Sequence, residues 1–194
     1  MRLVPALAVT ALLLAACSGG GSTASKQPDT SLTPSINGVQ VYRGLSHAHL
    51  TKKADYPHHY DQSPPVGGPH APVWLRCDVY AQPVPEVFAV HSIEHGGIWI
   101  SYRPDLPKTS VDTLALLQKT NVEYVLVAPY PGLSAPIVVT TWGLQLRLDS
   151  VDDPRLREFL QTYAGGGQGG EPGTPCRTNG LTPAQAATFL TQLP

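Results

Sequence analysis

The sequence AVHSIEHGGIWISY at residues 89–102 places two histidines and a glutamate directly before a double glycine and an apolar run. The apolar run, residues 97–102, is typical of a buried strand, and residues 84–95 are predicted to form a short helix. On that helix His91 and His95 share one face, because residues four apart are separated by about one turn. The stretch also matches H-x-x-E-H, a short signature of one group of zinc peptidases.

The segments around this helix and strand predict a single α+β domain over residues 36–194. Alternation and turn residues indicate further strands, and capping residues indicate further helices. We therefore expect a two-layer domain with a small mixed or antiparallel sheet, a few short helices and a long irregular loop. A glycine-rich loop at residues 165–175 is interpreted as a linker. Strands are expected at residues 38–42, 123–128, 137–141 and 144–148, and helices at 111–119 after Ser110, 154–163 after Asp153, and 182–193 after a capping box of Thr182 and Gln185.

The first 35 residues predict export and lipid anchoring rather than a folded element. Residues 1–16 have a basic start and an apolar run that is too short to persist as a membrane span. The sequence LAAC ends at Cys17, which is the form at which a lipoprotein signal peptide is cleaved and the cysteine acylated. Residues 17–35 are rich in glycine, serine, threonine and proline, so a flexible tether is expected. These features predict a protein held by a lipid on the extracytoplasmic face of the cell membrane.

The charge balance argues against nucleic acid as a partner. The chain has 13 basic and 14 acidic side chains and a formal net charge of -1. The sequence contains no basic stripe that could neutralise phosphates or bind anionic lipid headgroups. We therefore expect no nucleic-acid partner, and membrane attachment through the acyl chain alone.

Two cysteines, Cys77 and Cys176, remain for the folded domain if Cys17 is acylated. An unpaired thiol is unusual in an oxidising compartment, and both residues lie in segments rich in proline or glycine. We expect them to form a disulfide. The alternative is that Cys77 is a thiolate ligand for a soft metal ion.

A long irregular segment at residues 44–80 contains five of the 7 histidines of the chain. Its prolines and glycines exclude a regular helix or central strand, and long loops of this kind in small domains are often functional. His49 and His70 lie in this segment and are candidate metal ligands together with His91 and His95. Histidine-rich ligand sets suit copper or zinc. Glu94 could orient a ligand, or act as a general base on a metal-bound water.

The chain contains a series of distinctive short motifs: SHAH at 46–49, PPVGGPH at 64–70, WLRC at 74–77, AVHSIEHG at 89–96, YPGL at 130–133, WGLQL at 142–146 and DDPRL at 152–156. Together they resemble one exported bacterial lipoprotein family, called domain of unknown function 3105. The similarity covers roughly residues 44–176. The resemblance implies that His49, His70, His91, Glu94 and His95 belong to the family pattern, but it implies no activity.

Three functions remain open from the sequence. The first hypothesis is a non-catalytic lipoprotein that binds copper or zinc through its histidines. The second is a zinc-dependent hydrolase in which His91 and His95 hold the metal and Glu94 activates water, with Glu158 or Glu171 as the downstream acidic ligand. The third is an interaction module for another envelope protein, in which the histidines bind no metal and only hydrogen-bond the long loop in place.

Overall fold

A five-stranded mixed sheet forms the centre of the computed structural model, which describes residues 34–57, 59–171 and 173–194. The strands are β1 (Gln40–Val41), β2 (Ile98–Tyr102), β3 (Val125–Pro129), β4 (Ile137–Thr141) and β5 (Leu144–Leu148). Their order is β1-β5-β4-β2-β3, with β2 and β3 parallel and the other neighbours antiparallel. Every residue of β2, β3 and β4 is buried, as expected for strands that are covered on both faces.

Four α-helices flank this sheet within the described residues: α1 (Glu86–Glu94), α2 (Lys108–Thr120), α3 (Pro154–Tyr163) and α4 (Pro183–Gln192). Helices α2 and α3 cover one face, here called the first face. Their buried side chains, among them Leu114, Leu156 and Phe159, pack in one apolar cluster with residues of β2 to β5. At the start of α3 the Asp153 side chain accepts a hydrogen bond from the backbone N–H of Arg155 at 3.0 Å.

The opposite face, here called the second face, is covered by α1, α4 and the irregular segment of residues 45–80. Helix α1 is buried on all sides from Phe88 to Glu94. The backbone N–H groups of Ala71 and Leu75 donate to the carbonyls of Val87 and Phe88, each at 3.1 Å. These bonds fix the irregular segment directly to the first turn of α1.

The glycine loop, residues 165–171, lies against the C-terminal end of α1. The backbone N–H of Gly165 donates to the carbonyl of Gly96 at 2.9 Å. Gly96 ends the helix with a φ of +85°, and a methyl group on Gly169 would overlap the carbonyl oxygen of Glu94. This close approach of two backbones needs glycine, so the interpretation of the loop as a linker is wrong.

Cys77 and Cys176 form a disulfide whose Cα atoms are 5.1 Å apart. Both residues are fully buried. The bond joins the irregular segment to the chain that follows the glycine loop. The expected disulfide is therefore confirmed, and Cys77 is not a thiolate ligand.

The predicted α+β class, mixed sheet, short helices and long irregular loop are confirmed. Strands β4 and β5 and helix α3 have the predicted bounds, and the capping box of Thr182 and Gln185 is formed. Helix α2 begins at Lys108 rather than after Ser110, because Pro107 already supplies the extended residue before the first turn. Because helices cover both faces of the sheet, the domain has three layers rather than the two that were expected.

The predicted signal peptide at residues 1–16, Cys17 and the tether as far as residue 33 lie outside the described residues. Among the helices of the described part, none combines the length and the apolar character needed to span a membrane. The lipid anchor therefore stays a prediction from the sequence.

Candidate metal centre

Four side chains converge between α1 and the irregular segment, and they are here called the first group: His49, His70, His91 and Glu94. One ligand atom from each lies within 4.8 Å of the others. His49 and His70 are paired by a parallel bridge, in which the N–H of Leu50 donates to the His70 carbonyl at 2.8 Å. The other two members come from successive turns of α1. Three separate stretches of chain thus place their donors at one point.

Two imidazoles of the first group are oriented by backbone carbonyls. The Nδ1 atom of His70 donates to the Gly68 carbonyl at 2.7 Å, and that of His91 donates to the Ala71 carbonyl at 2.6 Å. With the hydrogen on Nδ1, the neutral ring presents an unprotonated Nε2 atom. A hydrogen bond of this kind is the usual way in which proteins orient a metal-binding histidine.

The carboxylate of Glu94 is almost completely buried and is surrounded by imidazoles. Its Oε2 atom lies 2.8 Å from His70 Nε2 and 3.2 Å from His49 Nε2, and its Oε1 atom lies 2.5 Å from His47 Nδ1. Burial by itself raises the pKa of Glu94, but the contacts with His70, His47 and His49 outweigh it and lower the pKa to about 2. The site therefore contains a buried negative charge.

His91 and His95 are held in their neutral forms. Burial lowers the pKa of His91 to about 3, against the opposing effect of its hydrogen bond to Ala71. Burial also lowers the pKa of His95. Neutral imidazole is the form that binds metal ions, so these two residues need not lose a proton on metal binding near pH 7.

A second group of candidate ligands, His91, His95 and Glu171, lies beside the first and shares His91 with it. The Nε2 atoms of His91 and His95 are 2.8 Å apart, and Glu171 Oε2 lies 3.6 Å from His95 Nε2. Glu171 arrives on the glycine loop, whose tight packing against α1 brings it there. The Nδ1 atom of His95 is buried and has no hydrogen-bond partner among the described residues.

Aromatic rings enclose both groups. Trp142 stacks on His47 with ring centroids 4.4 Å apart, and Trp74 lies 4.8 Å from His95. His49, His91 and His95 form a nearly parallel stack, with successive centroids 4.7 Å and 4.8 Å apart. The tryptophans limit the access of water to the imidazoles, which strengthens electrostatic interactions between them.

One close contact in the first group needs a positive charge. The Nε2 atom of His70 lies 2.8 Å from a carboxylate oxygen of Glu94, while the Nδ1 hydrogen of the same ring is used in the bond to Gly68. A proton or a metal cation between Nε2 and the carboxylate makes this contact attractive. Tetrahedral zinc separates its ligand atoms by about 3.3 Å, so the first group needs only small side-chain adjustments to hold an ion.

The structure brings together His49, His70 and His91, three of the four histidines that the sequence predicts as ligands, and places Glu94 with them. The fourth, His95, lies in the adjacent second group, which shares His91 with the first. Sequence reasoning missed His47, and it named Glu171 only together with Glu158, as the acidic ligand of the hydrolase hypothesis. The proximity of His47 to His49 on an extended segment was an available signal, since residues two apart share a side. No local signal distinguished Glu171, which lies beside His95, from Glu158, which is exposed on α3, because the position of Glu171 depends on the packing of the glycine loop. Trp74 and Trp142 also line the site.

Comparison with known proteins identifies a family but no activity. The family model described as "Protein of unknown function (DUF3105)" matches residues 51–178, about two thirds of the chain. No curated protein and no solved structure matches the chain. The matched region contains both cysteines of the disulfide, the histidine pair of α1, Glu94, His70 and Glu171, whereas His47 and His49 precede it. The chain therefore belongs to the DUF3105 family.

Proposed function

We propose that this protein is a membrane-anchored, extracytoplasmic lipoprotein that binds one copper or zinc ion through its histidine cluster without catalysing a reaction. One observation carries the proposal. Two imidazoles locked by backbone carbonyls, His70 and His91, converge on the buried carboxylate of Glu94, with ligand atoms within 4.8 Å of one another and His70 Nε2 at 2.8 Å from the carboxylate. A buried charge is costly unless it is compensated, and a divalent cation would compensate it while binding both nitrogens.

The donor types of the first group restrict the metal. Three imidazoles and one carboxylate suit zinc and copper(II), whereas magnesium and calcium prefer oxygen ligands. Copper binds more tightly than zinc to a given site of this kind, so the ion carried in a cell would also depend on metal supply. The only cysteines in the described part form the disulfide, so a soft thiolate site for copper(I) is not favoured.

The proposed location rests on the amino-terminal sequence together with the disulfide. Residues 1–17 have the pattern of a lipoprotein signal that ends at an acylated Cys17. A buried structural disulfide agrees with an oxidising compartment outside the cytoplasm. A protein held on the outer face of the membrane would be suited to capture, buffer or deliver a metal ion.

Elemental analysis tests the proposal directly. Residues 18–194 should be exported to an oxidising compartment, purified without a histidine tag and assayed for copper and zinc. We expect close to one ion per chain, lost when His91 and His95 are both replaced by alanine and retained with His59→Ala, a change at an exposed histidine outside both groups. Wild-type protein that contains no copper or zinc and binds neither when they are added would overturn the proposal.

A zinc-dependent hydrolase is the second candidate, and one observation favours it. The second group supplies the two histidines of an H-x-x-E-H sequence and a glutamate further along the chain. This ligand set is known from zinc enzymes. In such an enzyme Glu94 would activate water. Here both oxygens of the Glu94 carboxylate face His47, His49 and His70 instead, which favours binding over hydrolysis.

The variant Glu94→Gln separates the two candidates. The non-catalytic binder retains its ion, because three imidazoles remain, although its affinity falls. The hydrolase also retains its ion but loses turnover of ester and peptide substrates. Hydrolysis by the wild type that disappears in Glu94→Gln at unchanged zinc content would replace the first candidate with the second.

A further inference from the structure

The two ligand groups have one nitrogen in common. His91 belongs to both, and its Nδ1 atom is occupied by the hydrogen bond to Ala71. Only Nε2 is left to bind a metal, and the single lone pair of a neutral imidazole nitrogen binds one ion at a time. The two groups therefore cannot both hold a complete ligand set, and an ion in one must give up His91 to an ion in the other.

Each group has one ligand exposed to solvent, and the two exposed ligands differ in chemistry. In the first group this ligand is the imidazole of His49, which is 38% exposed and already contacts Glu94, while His70 and Glu94 are 0% and 1% exposed. The second group reaches the surface through Glu171, whose side chain is 44% exposed, while His95 is 9% exposed. A carboxylate at the surface can meet a hydrated ion, whereas the buried ligands cannot do so without first displacing its water.

We propose, on the basis of the metal-binding function above, that one divalent ion exchanges between the two groups through His91. The first group, with four ligands, is the resting position. The second group, with Glu171 at the surface, is the entrance and exit. The ion keeps its bond to His91 Nε2 during the exchange, so it is never released into the interior.

The geometry between the groups supports this route. The Nε2 atoms of His91 and His95 are 2.8 Å apart and their rings stack at an angle of 6°, so an ion on either nitrogen lies beside the other. His49 also reaches the surface, but it is a resting ligand whose Nε2 atom contacts Glu94 at 3.2 Å. Among the described residues, these two groups are the sets of three or more candidate ligands, and they share His91.

Zinc binding to matched variants tests the exchange. The variant Glu171→Gln should leave the equilibrium affinity for zinc within about twofold of the wild type. It should slow both zinc uptake and zinc release to a chelator by the same factor, about tenfold. Glu158→Gln makes the same change of charge at an exposed position on α3 and should alter neither rate.

Equilibrium zinc affinity distinguishes the roles of the two groups when it is measured in a second protein background, the His49→Ala variant. His49→Ala removes one resting ligand at a partly exposed position, and the ion then depends more on the second group. In this background Glu171→Gln should weaken zinc affinity about tenfold, although it has little effect in the wild type. A thermal melt shows whether His49→Ala is folded, and His49→Gln replaces it if it is not.

Three results would overturn the exchange while leaving the metal-binding function intact. They are the binding of two zinc ions per chain, unchanged zinc exchange rates in Glu171→Gln, and equal losses of affinity from Glu171→Gln in both backgrounds. Wild-type protein that binds no zinc and no copper would instead overturn the proposed function, and the exchange with it.

Discussion

On the first face of the sheet, α2 and α3 pack apolar side chains against the strands, whereas the second face is covered by α1, α4 and loops that carry polar groups. The first face has an ordinary core, in which Phe159 and Leu156 are fully buried among aliphatic residues. The second face holds His70, His91 and Glu94, which are also buried. It depends on backbone hydrogen bonds, a disulfide and close glycine contacts as well as on apolar packing.

This difference indicates a division of roles between the faces. Apolar burial stabilises by about 25 cal/mol for each Å² removed from water and needs no particular partner atoms. Buried imidazoles and carboxylates need specific partners for most of their polar atoms. We therefore expect changes on the first face to affect stability alone, and changes on the second face to affect stability and metal binding together.

Loss of the disulfide should have the largest effect on stability. The bond closes a separation of 99 residues. Replacing Cys77 and Cys176 together with alanine should lower the free energy of unfolding by about 4 to 5 kcal/mol in the chain-entropy description. Denaturant titration measures the loss, and reduced wild-type protein should match the variant. A loss below about 1 kcal/mol would show that the second face holds together without this bond.

Phe159→Ala should have the next largest effect and should separate the two faces. The side chain is fully buried in the apolar cluster of the first face, and its loss should cost about 3 to 5 kcal/mol in denaturant unfolding. Zinc affinity, measured under conditions in which the variant is folded, should not change. A parallel loss of zinc affinity would contradict the division of roles between the two faces.

Gly169→Ala changes the second face and should lower the free energy of unfolding by about 3 kcal/mol. The added methyl group would overlap the Glu94 carbonyl and push the glycine loop away from α1. Because this loop carries Glu171, zinc exchange should slow as well. Gly132→Ala serves as the control for substituting a glycine, since it meets only the strain of a positive φ and no neighbouring atom within 4 Å. Equal effects of the two variants would argue against tight packing of the loop.

Acidification of the metal-free protein should have the smallest effect. The pKa of His91 is lowered from 6.5 to about 3, so between these values the unfolded chain binds a proton that the folded chain does not. Stability therefore falls as the pH decreases from 6.5, by about 1 to 2 kcal/mol at pH 5. Glu94 acts in the same direction at lower pH: its pKa is lowered from 4.5 to about 2, so the stability it contributes is present above pH 4.5 and is lost as the pH falls towards 2.

A matched variant identifies the source of that dependence. His91→Gln keeps a polar side chain but cannot titrate, and it should remove most of the change in stability between pH 7 and pH 5. Denaturant titrations of both proteins in the presence of a chelator provide the measurement. The same slope in both proteins would assign the dependence to other groups.

The elements that sequence could predict are those specified by neighbouring residues. Helix α3 has its predicted bounds because Asp153 caps its first turn, Pro154 suits the first helical position and Gly165 follows its end. The histidine pair on α1 was predictable for the same reason, since helical spacing alone places His91 beside His95. These are local interactions within about one turn of helix.

The elements that sequence could not predict depend on contacts between distant segments. Glu171 reaches His95 only because the glycine loop packs on α1, and no pattern near residue 171 indicates this. The sequence also did not predict that the irregular segment covers the second face. An irregular segment has no periodicity that indicates which of its side chains are buried. The His70 side chain could be predicted as a candidate ligand, but its pairing with Glu94 could not.

The candidate ligands are widely scattered along the chain, from His47 to Glu171, and this has a consequence for the order of events during synthesis. A growing chain that ends before residue 171 lacks part of the second group, and one that ends before residue 176 lacks the disulfide. Contacts between such distant residues form late in folding because of the cost of closing long loops. Exchange of an ion through the second group would thus report that the whole domain has folded, whereas the four ligands of the first group are all present in the chain by residue 94.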